Sequence, residues 1–397
     1  MRPLSQRLAS IDVFRALTML LMIFVNDLGT LKNIPDWLEH TKAAEDGMGL
    51  ADTVFPAFLF IVGLSIPFAI GNRWSKGVSQ SNILGHILVR SFALLVMGFF
   101  HVNLENYNKS AALLPKGVWE ILLTISFFLI WLDYAPKLSK QKKWLLQGLG
   151  IALLVFLAIV FKGGDEDDVI WLRPYWWGIL GLIGWSYLLS ALVFLFSKSR
   201  MPILIAALLF FELFNIAAKA GWLQFLNPVK PYIWITGDGS SPALTMAGVI
   251  TAVAYSTLVQ KGNYRRLFTV FLLFGIIMLG AGFAVRPLGG GISKIHATPS
   301  WVMICTGISI LFFTGLIWLV DRQQKQNWFN IIKPAGTSTL TAYLLPYIHY
   351  PLYQMIGFSL PLVLRTGPTG IIKSLLYALA IILVTGLLEK KRIRLKI

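Results

Sequence analysis

The sequence predicts an all-α, polytopic membrane helix bundle of about 12 (10–12) transmembrane helices, on three observations. Of its 397 residues, 56% are hydrophobic and 13% charged, more apolar matter than a soluble domain of that length can hide in one core. The apolar residues fall in runs near the ~20 residues that span a bilayer. Basic residues gather in alternate connecting segments, the asymmetry that orients membrane helices.

In chain order the runs are 13–28, 54–71, 84–101, 117–134, 145–161, 176–196, 202–218, 243–259, 267–284, 301–320, 338–357 and 370–388. With the first segment inside, Arg2 and Arg7, Arg73 and Lys76, the lysines of 137–143, Lys198 and Arg200, Arg265 and Arg266, Arg322 and Lys325, and the basic tail from Lys390 share one side. Both termini are then cytoplasmic. Acids such as Asp165, Glu166, Asp167 and Asp168 collect on the other side. The net charge of +17 is therefore the positive-inside signature, and the expected partner is the lipid bilayer, not nucleic acid. Trp144, Trp171, Trp176, Trp177, Trp234 and Trp301 lie near run ends, where amphipathic rings favour the interface.

Cys305 is the one cysteine and reads as a small core residue with no intrachain disulfide to make. No linker, repeat or low-complexity stretch divides the chain, so 1–397 reads as a single transmembrane domain. No cleavable signal is evident at the first apolar run. That architecture points to an integral protein of a bacterial inner (cytoplasmic) membrane.

Chemistry concentrates in the region 7–73. The first apolar run ends in Asn26 and Asp27; a polar loop holding His40 follows, and Asp52 opens the second run. Acids beside the bilayer are costly unless hydrated or paired, which makes them functional candidates. Asp52 reads as a helix N-cap, alone or doubling as the partner of an imidazole. A carboxylate beside His40 would fix its tautomer and support it as a general base; a solvated loop histidine is the plainer reading. Arg7, Asp12 and Arg15 stand at the inner end of the first run, and Arg15 needs either Asp12 or a bound phosphate.

Three further segments carry polar groups. Glu120, after Trp119, is either a pocket acid or an interface residue. The stretch from Arg286 to Trp301 offers Ser293, Lys294, His296 and Thr298 around three glycines that let backbone approach a ligand, or it is a plain re-entry loop. Gly336 to Thr339 supplies hydroxyls suited to capping a helix.

The residues Arg7-Leu-Ala-Ser-Ile-Asp12-Val-Phe-Arg15, Phe24-Val-Asn26, His40, and Ala51-Asp52-Thr-Val-Phe55-Pro56 through Gly63 together resemble a known family. It is that of the transmembrane N-acetyltransferases typified by heparan-α-glucosaminide N-acetyltransferase, with its bacterial relatives. Weaker echoes are Trp119-Glu120, Ile292 to Lys294 with Thr298 and Trp301, and Ser338 to Tyr343. The resemblance implies a membrane-embedded acyltransferase that moves an acetyl group from cytosolic acetyl-CoA to an amine or hydroxyl of a sugar on the far side.

It implies His40 as general base or acyl carrier, with Asn26 and Asp52 close to it, and the polar crowding adds Asp27 as a catalytic candidate. Arg7, Arg15, Ser293 and Lys294 are the expected acetyl-CoA contacts, and Trp119, Glu120 and His296 the expected acceptor contacts. No metal is expected, and the family implies a homodimer. The loop departs from the family pattern after His40, where Thr-Lys-Ala-Ala-Glu-Asp-Gly stands, so the acceptor is left open. The competing reading is a secondary transporter of a sugar or small metabolite. Against it, no paired interrupted segments recur in the two halves, and the acids cluster at one edge instead of lining a path.

Overall fold

Ten helices of the computed structural model are long and apolar enough to cross a membrane, among the described residues 8–165, 168–233 and 238–397. In chain order the helices are α1 (Ala9–Leu28), α2 (Ala51–Ser75), α3 (Gln80–Asn103), α4 (Lys116–Trp131), α5 (Lys140–Val160), α6 (Ile179–Ser197), α7 (Met201–Lys219), α8 (Ser240–Gln260), α9 (Tyr264–Val285), α10 (Pro299–Leu316), α11 (Lys333–Thr337), α12 (Thr339–Leu344), α13 (Pro346–Met355) and α14 (Gly367–Lys390). All but α4 and α11 to α13 belong to the spanning set. Among the described residues the sheet content is one pair of two-residue strands, β1 (Gly163–Gly164) and β2 (Val169–Ile170), antiparallel with Gly163 opposite Ile170. Arg7, Glu166, Asp167 and Trp234 lie outside the described residues.

Two of the twelve apolar runs do not make a full span. The run 117–134 gives α4, whose 16 residues rise only ~24 Å. The run 338–357 is divided at Leu345 into α12 and α13, and Ser338 at its start (φ −126°, ψ 45°) separates it from α11. Pro346 and Pro351 then each remove an amide donor, so α13 stays short.

The bundle is built around α2, α8 and α10, the helices most enclosed by their neighbours. Packing between α2 and α8 depends on two glycines. A Cβ on Gly63 would sit 1.9 Å from the carbonyl oxygen of Thr245, and one on Gly248 would sit 2.0 Å from that of Phe60. Backbone thus lies on backbone, the small-residue contact that membrane helices use in place of a hydrophobic driving force. The outer helices α5, α7, α9 and α14 turn Leu149, Leu209, Ile276 and Leu383 outward, an apolar exterior suited to lipid.

The basic segments fall at one end of the bundle. The amide of Ser10 donates to Asp321 Oδ1 at 3.2 Å, tying the start of α1 to the far end of α10. Arg394 pairs with Asp133 at 2.9 Å, tying the basic tail to the α4–α5 connection. At the opposite end Lys32 N donates to the carbonyl of Arg365 at 2.9 Å, and Asp46 accepts from Arg286 Nε at 2.9 Å. That second end holds His40.

Candidate active site

The loop between α1 and α2 is folded onto itself before it meets anything else. Leu50 N donates to the carbonyl of Trp37 at 2.7 Å. Gly49 lies so close to Glu39 that a Cβ would come within 2.0 Å of its carbonyl oxygen, so only glycine fits there. The folded loop then docks on the segment between α9 and α10. Asp46 Oδ1 accepts from Ile292 N at 2.6 Å, Gly47 N donates back to the Ile292 carbonyl at 2.9 Å, and His296 Nε2 lies 3.2 Å from the carbonyl of Ala43. The Ile292 amide and the Arg286 guanidinium hold the Asp46 carboxyl below the usual carboxylate range.

This docking sets His40 against Asp52. His40 Nδ1 is 2.7 Å from Asp52 Oδ1, while Asp52 Oδ2 accepts from Thr41 N and Gly49 N, both at 3.0 Å. The carboxylate is 1% exposed and the imidazole 46%, so a buried acid orients a ring that faces outward. Asp52 is not the helix cap that its position suggested. Leu50 is the N-cap residue of α2 and makes no side-chain cap bond, and the Asp52 carboxylate is spent on loop amides and the imidazole instead. Its backbone is pinned as well, because Trp301 Nε1 donates to the Asp52 carbonyl at 3.0 Å.

Lys294 completes the cluster. Its Nζ lies 3.2 Å from both Nδ1 and Nε2 of His40, beside the ring edge. Burial pushes the Lys294 ammonium below the ordinary lysine range, opposed by the negative charge of Asp52. Ser293 is beside it in sequence, but its hydroxyl accepts from His296 N at 3.3 Å, so it shapes the turn. With a carboxylate on Nδ1, the free lone pair of a neutral imidazole is on Nε2, where a base is needed.

Other expected members are placed elsewhere. Asp27 does not join His40: it accepts from Tyr350 OH at 2.6 Å and pairs with Lys373 Nζ at 2.5 Å. Asn26 is exposed at the end of α1 and makes no hydrogen bond to His40 or Asp52. Trp119 is fully buried, donates from Nε1 to the Leu157 carbonyl at 3.0 Å, and packs on Tyr107 and Phe161. The ring is enclosed and its one donor is used, so in this structure Trp119 serves packing. Glu120, next to it, is half-buried.

A cavity of about 700 Å³ opens toward the basic end. Arg15 lines it, donating to Asp12 Oδ1 at 3.2 Å, to the Gly336 carbonyl at 3.3 Å and to Ser65 Oγ at 2.6 Å. Arg7 lies outside the described residues. Sequence reasoning missed two further cations in the wall, Arg90 and Lys396. The Arg90 guanidinium sits over the Tyr187 ring at 4.9 Å, and its Nε is buried with no partner. Ser338, expected as a cap, makes no cap bond; its hydroxyl is buried without a partner in the same wall. Along α2 the cavity reaches Phe58, six residues or ~9 Å of helix rise from Asp52. The cations gather at one mouth, and Met19, Met22, Phe58 and Val62 make the wall beyond them apolar.

Comparison with known proteins falls on the same stretch. A family profile described as heparan-alpha-glucosaminide N-acetyltransferase, catalytic, matches residues 7–99. The human heparan-alpha-glucosaminide N-acetyltransferase is 38% identical over 104 residues, and the mouse protein 37% over 106. These matches cover 26% and 27% of this chain but only 15% of either relative. Through this quarter of its length, which holds His40 and Asp52, the chain is similar to the catalytic region of the heparan-α-glucosaminide N-acetyltransferases.

Proposed function

We propose that this protein is a membrane-embedded acyltransferase that moves an acetyl group from acetyl-CoA to an amine or hydroxyl of a sugar. The observation that carries the reading is the alignment of two features on α2: the buried-acid and exposed-imidazole pair at one end, and the cationic cavity that approaches it from the other. The names of the human and mouse relatives support the same transfer. The gathering of basic segments at the cavity mouth supports a cytoplasmic entry for the donor.

In this reading the CoA phosphates rest near Arg15, Arg90 and Lys396, and the thioester lies toward His40. His40 Nε2 takes the proton from the attacking nitrogen or oxygen as that atom bonds to the thioester carbonyl carbon. The tetrahedral oxyanion then collapses, the C–S bond breaks, and the thiolate leaves toward the cavity. Lys294, not Asn26, is the donor nearest the imidazole and is assigned to the oxyanion. Asp52 holds Nδ1 and stabilises the imidazolium while the proton is on the ring. In the covalent variant Nε2 attacks the thioester carbonyl carbon and the C–S bond breaks to release the thiolate; the acceptor then bonds to the acyl carbon, the Nε2–acyl bond breaks, and the acceptor's proton passes to the freed imidazole.

The test is acetyl-CoA binding and thiol release by the purified chain, with glucosamine and related amino sugars as acceptors, against His40→Ala. Acceptor-dependent thiol release that the variant lacks is expected. An unchanged chain that neither binds acetyl-CoA nor releases thiol, yet carries sugar into liposomes, would overturn the enzyme reading in favour of transport.

A further inference from the structure

We propose that the groove between α13 and α14 is a binding site for one anionic phospholipid of the leaflet on the His40 side. A cavity of about 810 Å³ lies there, lined on α14 from Thr369 through Ile372 and Leu376 to Ala380. The eleven steps from Thr369 to Ala380 advance ~16 Å along the helix, close to the ~15 Å half-thickness of a hydrocarbon core. Ile372 and Leu376 are 59% exposed on the outer face of α14, so the groove opens sideways into lipid, not to water. Its depth and its opening are those of one leaflet.

The chemistry changes with depth in the order a phospholipid requires. Arg365 is exposed at the mouth, in the cavity lining. Lys32 is held beside it by backbone bonds, its amide on the Arg365 carbonyl at 2.9 Å and its carbonyl accepting from Gly367 N at 3.0 Å. Two cations at the interface suit a negative headgroup, each adding about fivefold in affinity near an anionic surface. One helical turn below Thr369, Lys373 is paired with Asp27 at 2.5 Å. An ammonium has three donors, so this neutral pair can still donate to an ester carbonyl without repelling the chains beneath it. Deeper still, Leu376 and Ala380 present hydrocarbon beside the rings of Tyr377 and His349.

The site is independent of the assignment of His40. It is tested by native mass spectrometry of the full chain in mild detergent, titrated with phosphatidylglycerol and phosphatidylcholine. Arg365→Gln and Leu376→Trp are run in parallel; both replace exposed residues, and folding is checked by elution and thermal melting. The expected result is a five- to thirtyfold preference for phosphatidylglycerol, reduced about fivefold in Arg365→Gln, with Leu376→Trp retaining neither lipid. Equal retention of the two lipids by the unchanged chain overturns the proposal. So does binding of chain-free glycerophosphoglycerol as tight as that of the intact lipid, or unaltered lipid retention in both variants.

Discussion

Lys294 Nζ lies 3.2 Å from each ring nitrogen of His40, on a segment that is also tied to the His40 loop through Asp46, Gly47 and Ala43. The cation and the imidazole are 254 residues apart in the chain. If Lys294 stabilises the oxyanion, its charge is needed. Since burial depresses its pKa, the ammonium is present below that lowered value and lost as pH rises through it. The alkaline limb of kcat should therefore fall at a lower pH than an ordinary lysine would set. Lys294→Arg, which stays charged, should carry activity further into alkali, whereas Lys294→Met should lose roughly 10²–10³-fold in kcat. An alkaline limb that is the same in the unchanged chain and Lys294→Arg would remove Lys294 from the chemistry.

Asp52 separates orientation from folding. Asp52→Asn keeps an oxygen for the loop amides but supplies no charge to the imidazole, and should cost roughly 10²–10⁴ in kcat with the melting temperature nearly retained. Asp52→Ala strands the amides of Thr41 and Gly49, each worth about 1–3 kcal/mol when buried and unpaired. It should therefore lose both activity and loop order. Thiol-release assays and thermal melts on the two variants check the split, and equal melting losses would argue against it.

Asp46 governs docking of the loop. Its carboxyl is held low by Ile292 N and Arg286, so its contribution is full above the ordinary carboxylate value and is lost as pH falls through the depressed one. Docking should thus be insensitive to pH from 6 to 8 and fail only in strong acid. At neutral pH Asp46→Asn should speed hydrogen exchange in 39–50 and 286–298 together, while α8 stays protected. Exchange rising in only one of the two segments would contradict the docking.

Legibility followed sequence distance. His40 and Asp52 are twelve residues apart, within one loop and the turn after it, so their pairing could be read from local crowding. The partners of Asp27 were hidden for the same reason: it neighbours Asn26, but Tyr350 and Lys373 are 323 and 346 residues away. Nothing in the periodicity of α14 announces that Lys373 faces α1. Arg90 was hidden because a single cation in an apolar helix looks the same whether it snorkels or lines a cavity. The full spans were legible from hydropathy, while the division of 338–357 at Leu345 was not, since an apolar run shows length without showing whether its helix is continuous.

Gly63→Ala tests the frame that sets Asp52 in place. Gly63 is three turns below Asp52 on α2, and a Cβ there meets the Thr245 carbonyl at 1.9 Å, far inside contact. The obstacle is backbone of a packed helix and not the flexible end of a side chain, so the cost should reach or exceed the ~3 kcal/mol upper end of ordinary overpacking. The clash can be relieved only by moving α2 away from α8, and α2 carries both Asp52 and the cavity wall at Phe58 and Val62. Gly63→Ala should therefore lower the melting temperature and kcat together. Trp119→Phe is the contrast. It removes the Nε1 bond to Leu157 far from the imidazole and should cost ~1–3 kcal/mol of stability with KM for the acceptor unchanged. A rise in that KM would return Trp119 to the binding site.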